Sequence, residues 1–151
     1  MESQLLNSWL GSRILFKAEC FQTTGAFKLR GATNILAKLA EHNALPKQIV
    51  ANSSGNHAQA VAYAGKLFNV PVKIFSTQNI SAVKAAATRF YGAELALYPT
   101  RPDADDAVKQ AAEQPDTLWI PPFNHPDIIA GQGTLLCDAI DPVGDVDAIA
   151  A

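Results

Sequence analysis

Between about Pro46 and Pro122, short apolar runs alternate with longer amphipathic segments, and few architectures accept that pattern. Runs at Ile49–Asn52, Val72–Ser76, Glu94–Tyr98 and Leu118–Pro121 read as strands. The segments from His57 to about Phe68, Ser81 to Tyr91 and Pro102 to Gln114 read as helices. Gly92 is a plausible residue just past the end of the second helix. Asp103, Asp105 and Asp106 sit in the first turn of the third, where they favour the helix dipole and form a solvated face. Strand–helix–strand units joined by right-handed crossovers predict a small parallel sheet with helices on both faces.

The flanks follow a looser pattern. Arg13–Glu19 reads as a strand. From Phe27 to about Glu41, Leu29, Ala32, Leu36 and Leu39 recur at helical spacing, and Thr23, Thr24 and Gly25 are N-cap candidates. Pro121-Pro122 breaks the pattern, and a last helix is expected from near Pro126 to about Ile140. Gly131 and Gly133 fall inside it at a cost of about 1 kcal/mol each relative to alanine, which close packing against another element would explain. Asp145–Ala151 reads as the beginning of another strand. No internal repeat and no low-complexity segment is visible.

Composition narrows the function classes. The 151 residues are enough for one buried core, and 48% hydrophobic with 17% charged residues excludes a mainly disordered chain. No run approaches the roughly 18 apolar residues of a membrane span. The N-terminus lacks the basic start and apolar core of a signal peptide, so a cytoplasmic location is expected. A net charge of −2 argues against nucleic-acid binding, which needs basic patches. The two cysteines, Cys20 and Cys137, lie far apart and read as buried small residues. His42, His57 and His125 form no i, i+4 pair, so each reads as a surface or capping residue and no metal is expected.

Two loops carry residues suited to chemistry. In Thr23-Thr24-Gly25-Ala26-Phe27-Lys28, Lys28 falls in the first turn of a helix. A free lysine has a pKa of about 10.4, so only about one in a few thousand is the nucleophilic neutral amine at pH 7. The positive end of the helix dipole, burial against Phe27 and a facing Arg30 would each lower that pKa. Such an amine condenses with an aldehyde; the bland alternative is a surface lysine. In Ser53-Ser54-Gly55-Asn56-His57, a strand end meets a helix start. Hydroxyls, an amide and the helix's unpaired N–H groups there suit a carboxylate or phosphate. The alternative is an ordinary Ser/Asn cap with no ligand. Neither G-x-G-x-x-G nor G-x-x-x-x-G-K-[ST] occurs.

Three segments in order, KAECFQTTGAFKLRGA (17–32), SSGNHAQAVAYAGK (53–66) and PPFNHPDIIAGQGT (121–134), resemble the pyridoxal-phosphate-dependent serine/threonine dehydratase and serine racemase family. That family is of fold-type II, related to the tryptophan synthase β subunit. The resemblance implies an α/β fold with a four-stranded parallel small domain over 46–122. Residues 1–45, with the lysine segment, and 123–151 would belong to an incomplete large domain. Lys28 matches the lysine that carries pyridoxal 5′-phosphate, and Phe27 the aromatic residue beside the cofactor ring. Asn56 matches the asparagine that hydrogen-bonds the cofactor's 3-hydroxyl. Ser53, Ser54, Gly55, Asn56 and His57 match the loop that binds the substrate carboxylate, and Ser54 also the second acid/base of the racemases. Gln132, Gly133 and Thr134 match a family signature without a chemical step.

The implied reaction is β-elimination of L-threonine or L-serine to a 2-oxo acid and ammonia. Racemisation of serine is the alternative, and a non-catalytic relic or oligomerising domain a third possibility. Ala26 stands where the family usually has serine. The family's glycine-rich phosphate loop would follow residue 151, so the chain is expected to be an N-terminal half that binds the cofactor weakly alone. Its partners are expected to be an amino acid and either a second copy or a complementary C-terminal half.

Overall fold

In the computed structural model, which describes residues 1–150, the four apolar runs pair as one parallel sheet. Its strands are β1 (Gln48–Asn52), β2 (Val72–Thr77), β3 (Glu94–Tyr98) and β4 (Thr117–Trp119), in spatial order β3-β2-β1-β4. Among the described residues there are six α-helices: α1 (Gln4–Leu10), α2 (Lys28–Glu41), α3 (Asn56–Leu67), α4 (Ala82–Phe90), α5 (Arg101–Ala112) and α6 (Pro126–Ile140).

The strand order explains the layers. β1, β2 and β3 step in one direction, with α3 and α4 as their crossovers. The chain then returns past β1 to place β4 on its other side. A right-handed crossover in the reverse direction must run over the opposite face, so α5 covers that face. Alternation along the strands serves both layers. Ile49 and Ala51 of β1 and Ile74 of β2 join the cluster under α3, while Val50 and Phe75 pack against Ala104 and Val108 of α5. β1 is buried along almost its whole length, as a central strand must be.

The larger cluster continues outward through α3 to Ala32, Ile35 and Leu36 of α2 and Ile128 of α6. α2 and α6 cross at two glycines. A Cβ on Gly131 would lie 2.7 Å from the Cα of Gly31 and 2.8 Å from the Arg30 carbonyl oxygen. The expected close packing therefore holds at Gly131. It does not hold at Gly133, where an added Cβ meets open space.

Local signals set the helix ends. Ser81 caps α4 by accepting from the Lys84 N–H, and Thr100 and Asp103 form a reciprocal capping box at α5. His125 caps α6, with Pro126 as its first residue. Gly92, at φ 97°, takes the left-handed turn after α4.

Several expectations fail in the flanks. Arg13–Glu19 is no strand: it makes a single bridge, Leu15 to Glu2, and then a 3-10 turn at Glu19–Phe21. Residues 145–150 form no strand either, and Ala151 lies outside the described residues. Cys20 and Cys137 are exposed rather than buried. Thr23, Thr24 and Gly25 do not cap α2, whose preceding residue is Phe27, with no side-chain cap. Asp105 does more than face solvent: it accepts from the Asn52 amide at 2.6 Å and from Arg101 at 2.8 Å.

Candidate functional site

The sheet order reverses between β1 and β4, and ligands of open α/β sheets gather at such a switch point, beyond the carboxyl ends of the strands. A cleft of about 420 Å³ lies there. Its walls are Asn52, Ser53, Asn56 and His57 after β1, Pro122 and Phe123 after β4, Phe27 and Lys28 from the start of α2, and Lys84 and Arg101 from α4 and α5. Residues 94 apart in sequence meet across it: the Lys28 Nζ donates to the Pro122 carbonyl oxygen at 2.6 Å.

Lys28 is the first residue of α2 and is half-buried, with its Nζ 5.1 Å from the centre of the Phe27 ring. Burial holds its pKa below the ordinary lysine value. Arg30 contributes nothing to this. Its guanidinium points away, bonding both oxygens of Glu19, at 2.8 and 2.9 Å, and Asp138 at 2.7 Å. Residues two apart on a helix do not face each other.

The loop after β1 is built differently from an ordinary cap. Gly55 precedes α3, and among the described residues no side chain caps that helix. The Ser53 Oγ instead accepts from the Gly55 N–H at 3.1 Å. The first-turn N–H groups of α3 therefore carry no side-chain cap, and the first two residues of the helix, Asn56 and His57, stand in the cleft wall. A Cβ on Gly55 would approach nothing nearer than the Lys84 Nζ, at 3.8 Å.

His57 is not a surface residue. It is 4% exposed, and its Nε2 lies 2.9 Å from the Ile120 carbonyl oxygen. That bond assigns the proton to Nε2 and leaves Nδ1 as an acceptor, which has no partner among the described residues. Burial pushes the His57 pKa down to about 4, and the nearby Lys28 charge acts in the same direction. The imidazole is neutral at physiological pH.

Of the residues singled out from sequence, Phe27, Lys28, Ser53, Asn56 and His57 share the cleft wall. Ser54 and Gly55 do not line it among the described residues. The Ser54 Oγ turns to the Ser76 Oγ, 2.9 Å away on β2. Gln132 and Thr134 stand apart, serving the α2–α6 contact: Gln132 Oε1 accepts from the Gly31 N–H, and Thr134 Oγ1 accepts from Arg30.

Sequence reasoning did not single out Asn52, Lys84, Arg101, Pro122 or Phe123 as site residues. Asn52 is buried, giving its amide hydrogens to Asp105 and accepting from the Trp119 indole at 3.2 Å. That bracing ties the ends of β1 and β4 to the first turns of α5.

Comparison with known proteins identifies the family and the fold. Residues 1–151 match the family described as pyridoxal-phosphate dependent enzyme. Over 150 residues the chain is 44% identical to the L-threo-3-hydroxyaspartate ammonia-lyase of Saccharomyces cerevisiae, covering 99% of this chain and 46% of that protein. It is 37% identical over 153 residues to human serine racemase, covering 99% of this chain and 45% of that one. The crystal structure of a pyridoxal 5′-phosphate-dependent aspartate racemase superposes with a TM-score of 0.89 at 32% identity, covering 97% of this chain and 46% of that one. The chain spans about half the length of these relatives. Its fold is that of the fold-type II enzymes. Matched along its whole length, the chain belongs to the pyridoxal-phosphate-dependent enzyme family, within the group that includes ammonia-lyases and amino-acid racemases.

Proposed function

We propose that the cleft serves pyridoxal-phosphate-dependent β-elimination on a β-hydroxy α-amino acid, yielding a 2-oxo acid and ammonia. L-Threonine and L-serine are the simplest such substrates. The S. cerevisiae relative is named for 3-hydroxyaspartate, which belongs to the same chemical class. One observation carries the reading: a half-buried amine of lowered pKa, Lys28, shares its cleft with the uncapped start of α3.

These residues fit the cofactor. Lys28 offers an amine able to condense with an aldehyde, Phe27 an apolar ring beside it, and Asn56 an amide lining the same cleft. The orphan His57 Nδ1 shows a polar wall that the protein alone does not satisfy. When bound, pyridoxal phosphate supplies an electron sink for the charge left on the substrate Cα.

The chain's own residues then do the following. The start of α3, with Ser53 and Asn56, holds the α-carboxylate and so fixes the orientation of the Cα–H bond. The Lys28 Nζ, freed from the Pro122 carbonyl, takes the Cα proton and can return one to the departing β-hydroxyl, which leaves as water. Hydrolysis of the resulting enamine gives the 2-oxo acid and ammonia. The neutral His57 keeps a second full positive charge away from Lys28.

Racemisation is the second reading, favoured by the Ser54–Ser76 hydroxyl pair. For this the Ser54 hydroxyl, now paired with Ser76 outside the cleft wall, would have to turn into the cleft and exchange a proton with Cα. Release of D-serine rather than pyruvate from L-serine distinguishes the two.

The exposed apolar residues Leu5 and Trp9 of α1 and Ile129 and Leu136 of α6 support the expected contact with a second copy or a complementary half. Light scattering across a concentration series tests the first.

The central test mixes the chain with pyridoxal phosphate, reduces with borohydride and maps the adduct by mass spectrometry. A reduced adduct at Lys28, abolished in Lys28→Ala, is expected. No adduct at Lys28 even at high cofactor concentration rejects the proposal.

A further inference from the structure

Asn52 closes β1 with a buried amide, 7% exposed, that forms part of the cleft wall. Its two ends meet partners of opposite kind. The Nδ2 donates to Asp105 Oδ1 at 2.6 Å, and the Oδ1 accepts from the Trp119 Nε1 at 3.2 Å. An ionised carboxylate only accepts, and an indole N–H only donates. The amide therefore fits in one orientation, and Asp105 is the group that selects it. The same Asp105 oxygen takes the Arg101 Nε at 2.8 Å. An i, i+4 pair on a helix surface explains the arginine contact but not the buried amide.

What this orientation holds is the end of β4. β4 is a three-residue edge strand, and its ladder to β1 ends where the Ile120 N–H meets the Val50 carbonyl oxygen at 3.0 Å. Pro121 and Pro122 have no N–H with which to extend it. From Trp119 to Pro122 three side chains fix the chain to the cleft: Asn52 on the Trp119 indole, His57 on the Ile120 carbonyl at 2.9 Å and Lys28 on the Pro122 carbonyl at 2.6 Å. The proposed chemistry, on which this inference rests, takes Lys28 off its carbonyl. The other two then keep the strand end in place, and with it the docking point of the amine.

We propose that Asp105 is a positioning residue for Lys28: by orienting Asn52 onto Trp119, it fixes the strand end on which the Lys28 amine docks. Asp105 is not in the cleft wall among the described residues, so it acts through Asn52.

The test uses the whole chain. Asp105→Leu keeps the bulk and removes the acceptor. Asp105→Asn keeps an acceptor oxygen but lets the amide pair form either way round. Asp103→Ala is the control, since it breaks the capping box of the same helix and leaves the Asn52 bond alone. Three signals are read: the Trp119 indole N–H by NMR against the exposed Trp9, the pH midpoint of Lys28 acetylation against the exposed Lys47, and the initial rate of the borohydride-trapped Lys28 adduct with pyridoxal phosphate. In Asp105→Leu the indole resonance should shift, the Lys28 midpoint should rise towards 10.5 as water reaches the amine, and the adduct rate should fall about tenfold. Asp105→Asn should lie between the parent and Asp105→Leu, and Asp103→Ala should match the parent in all three. A Lys28 midpoint that stays or falls in Asp105→Leu overturns the proposal, as does the same rise in Asp103→Ala. If Asp105→Leu does not fold, Asp105→Asn decides by the same criteria. Acetylation and the indole signal need no cofactor. A parent that forms no adduct at Lys28 therefore rejects the proposed function alone. A parent that forms it, beside an Asp105→Leu variant with an unmoved Lys28 midpoint, rejects the positioning role alone.

Discussion

Lys28 and Pro122 meet through a 2.6 Å hydrogen bond that ties the start of α2 to the segment just after β4. Because burial lowers the Lys28 pKa, its amine should become reactive at a pH below 10.5, the ordinary value for lysine. Residue-resolved acetylation across a pH series should give Lys28 a midpoint below that figure. A midpoint at or above it would remove the case for an activated amine. The linkage has a definite sign. The unfolded chain holds this proton more tightly, so Lys28 costs stability below its folded pKa, and the cost fades as pH rises towards 10.5.

His57 should titrate near pH 4 instead of 6.5. Between those values the unfolded chain binds a proton that the folded chain refuses. Stability should therefore fall as pH drops from about 6.5 to about 4, and rise again along the same path on return. Below about pH 4 both states are protonated and this contribution levels off. The full effect is on the order of 3 kcal/mol from the size of the shift. Denaturant melts at stepped pH should show a steeper fall between pH 6.5 and 4 in the parent than in His57→Gln. An imidazole midpoint near 6.5 by NMR would refute the buried, neutral assignment.

The strands and helices between 46 and 122 were legible because each packs apolar residues against a neighbour, fully buried in β1 and β2 and half-buried in β3 and β4, and such packing leaves a periodic apolar signal. α6 was legible from near Pro126 to about Ile140 because a proline favours the first turn of a helix; the His125 cap was not read from the sequence. α1 was missed for the converse reason: it spans Gln4–Leu10, buries no side chain, and its Ser3 cap looks like any loop serine. The apolar run at Ile14, Leu15 and Phe16 imitates a strand but finds one bridging residue and no sheet. At the site, Lys28 and the Ser53–His57 loop could be read locally. Lys84, Arg101 and Pro122 could not. They reach the cleft only because β4 returns beside β1, and strand order is not written in the periodicity of any one segment. His57 was misjudged on the same ground, since its burial depends on Ile120 arriving at the end of β4.

Hydrogen exchange should divide the chain near residue 23. α1 and the 3-10 turn contain no buried residue, so they can open without disturbing the core. α2 lies outside the sheet unit in sequence, yet its Ala32, Ile35 and Leu36 belong to the cluster that includes β1 and α3. Its central amides should be protected like those of α3. Exchange of α2 at the rate of α1 would show that the helix is only loosely attached to the sheet.

The two glycines in α6 should respond oppositely to the same substitution. At Gly131 an added methyl would lie 2.7 Å from the Gly31 Cα and 2.8 Å from a backbone carbonyl, neither of which can turn aside as a side chain can. Gly131→Ala must push α6 away from α2, at a cost of about 1–3 kcal/mol for overpacking. That displacement also loosens the packing of Ile128 in the core beside it. At Gly133 the same methyl meets nothing within 4 Å, and the only change is the gain in helix propensity. Gly133→Ala should therefore raise stability by up to about 1 kcal/mol. Thermal melts of the two variants against the parent decide the matter. Equal shifts, or destabilisation by Gly133→Ala, would mean that the α2–α6 crossing is not the close glycine contact described, and the path by which Lys28 is held over the cleft would need another anchor.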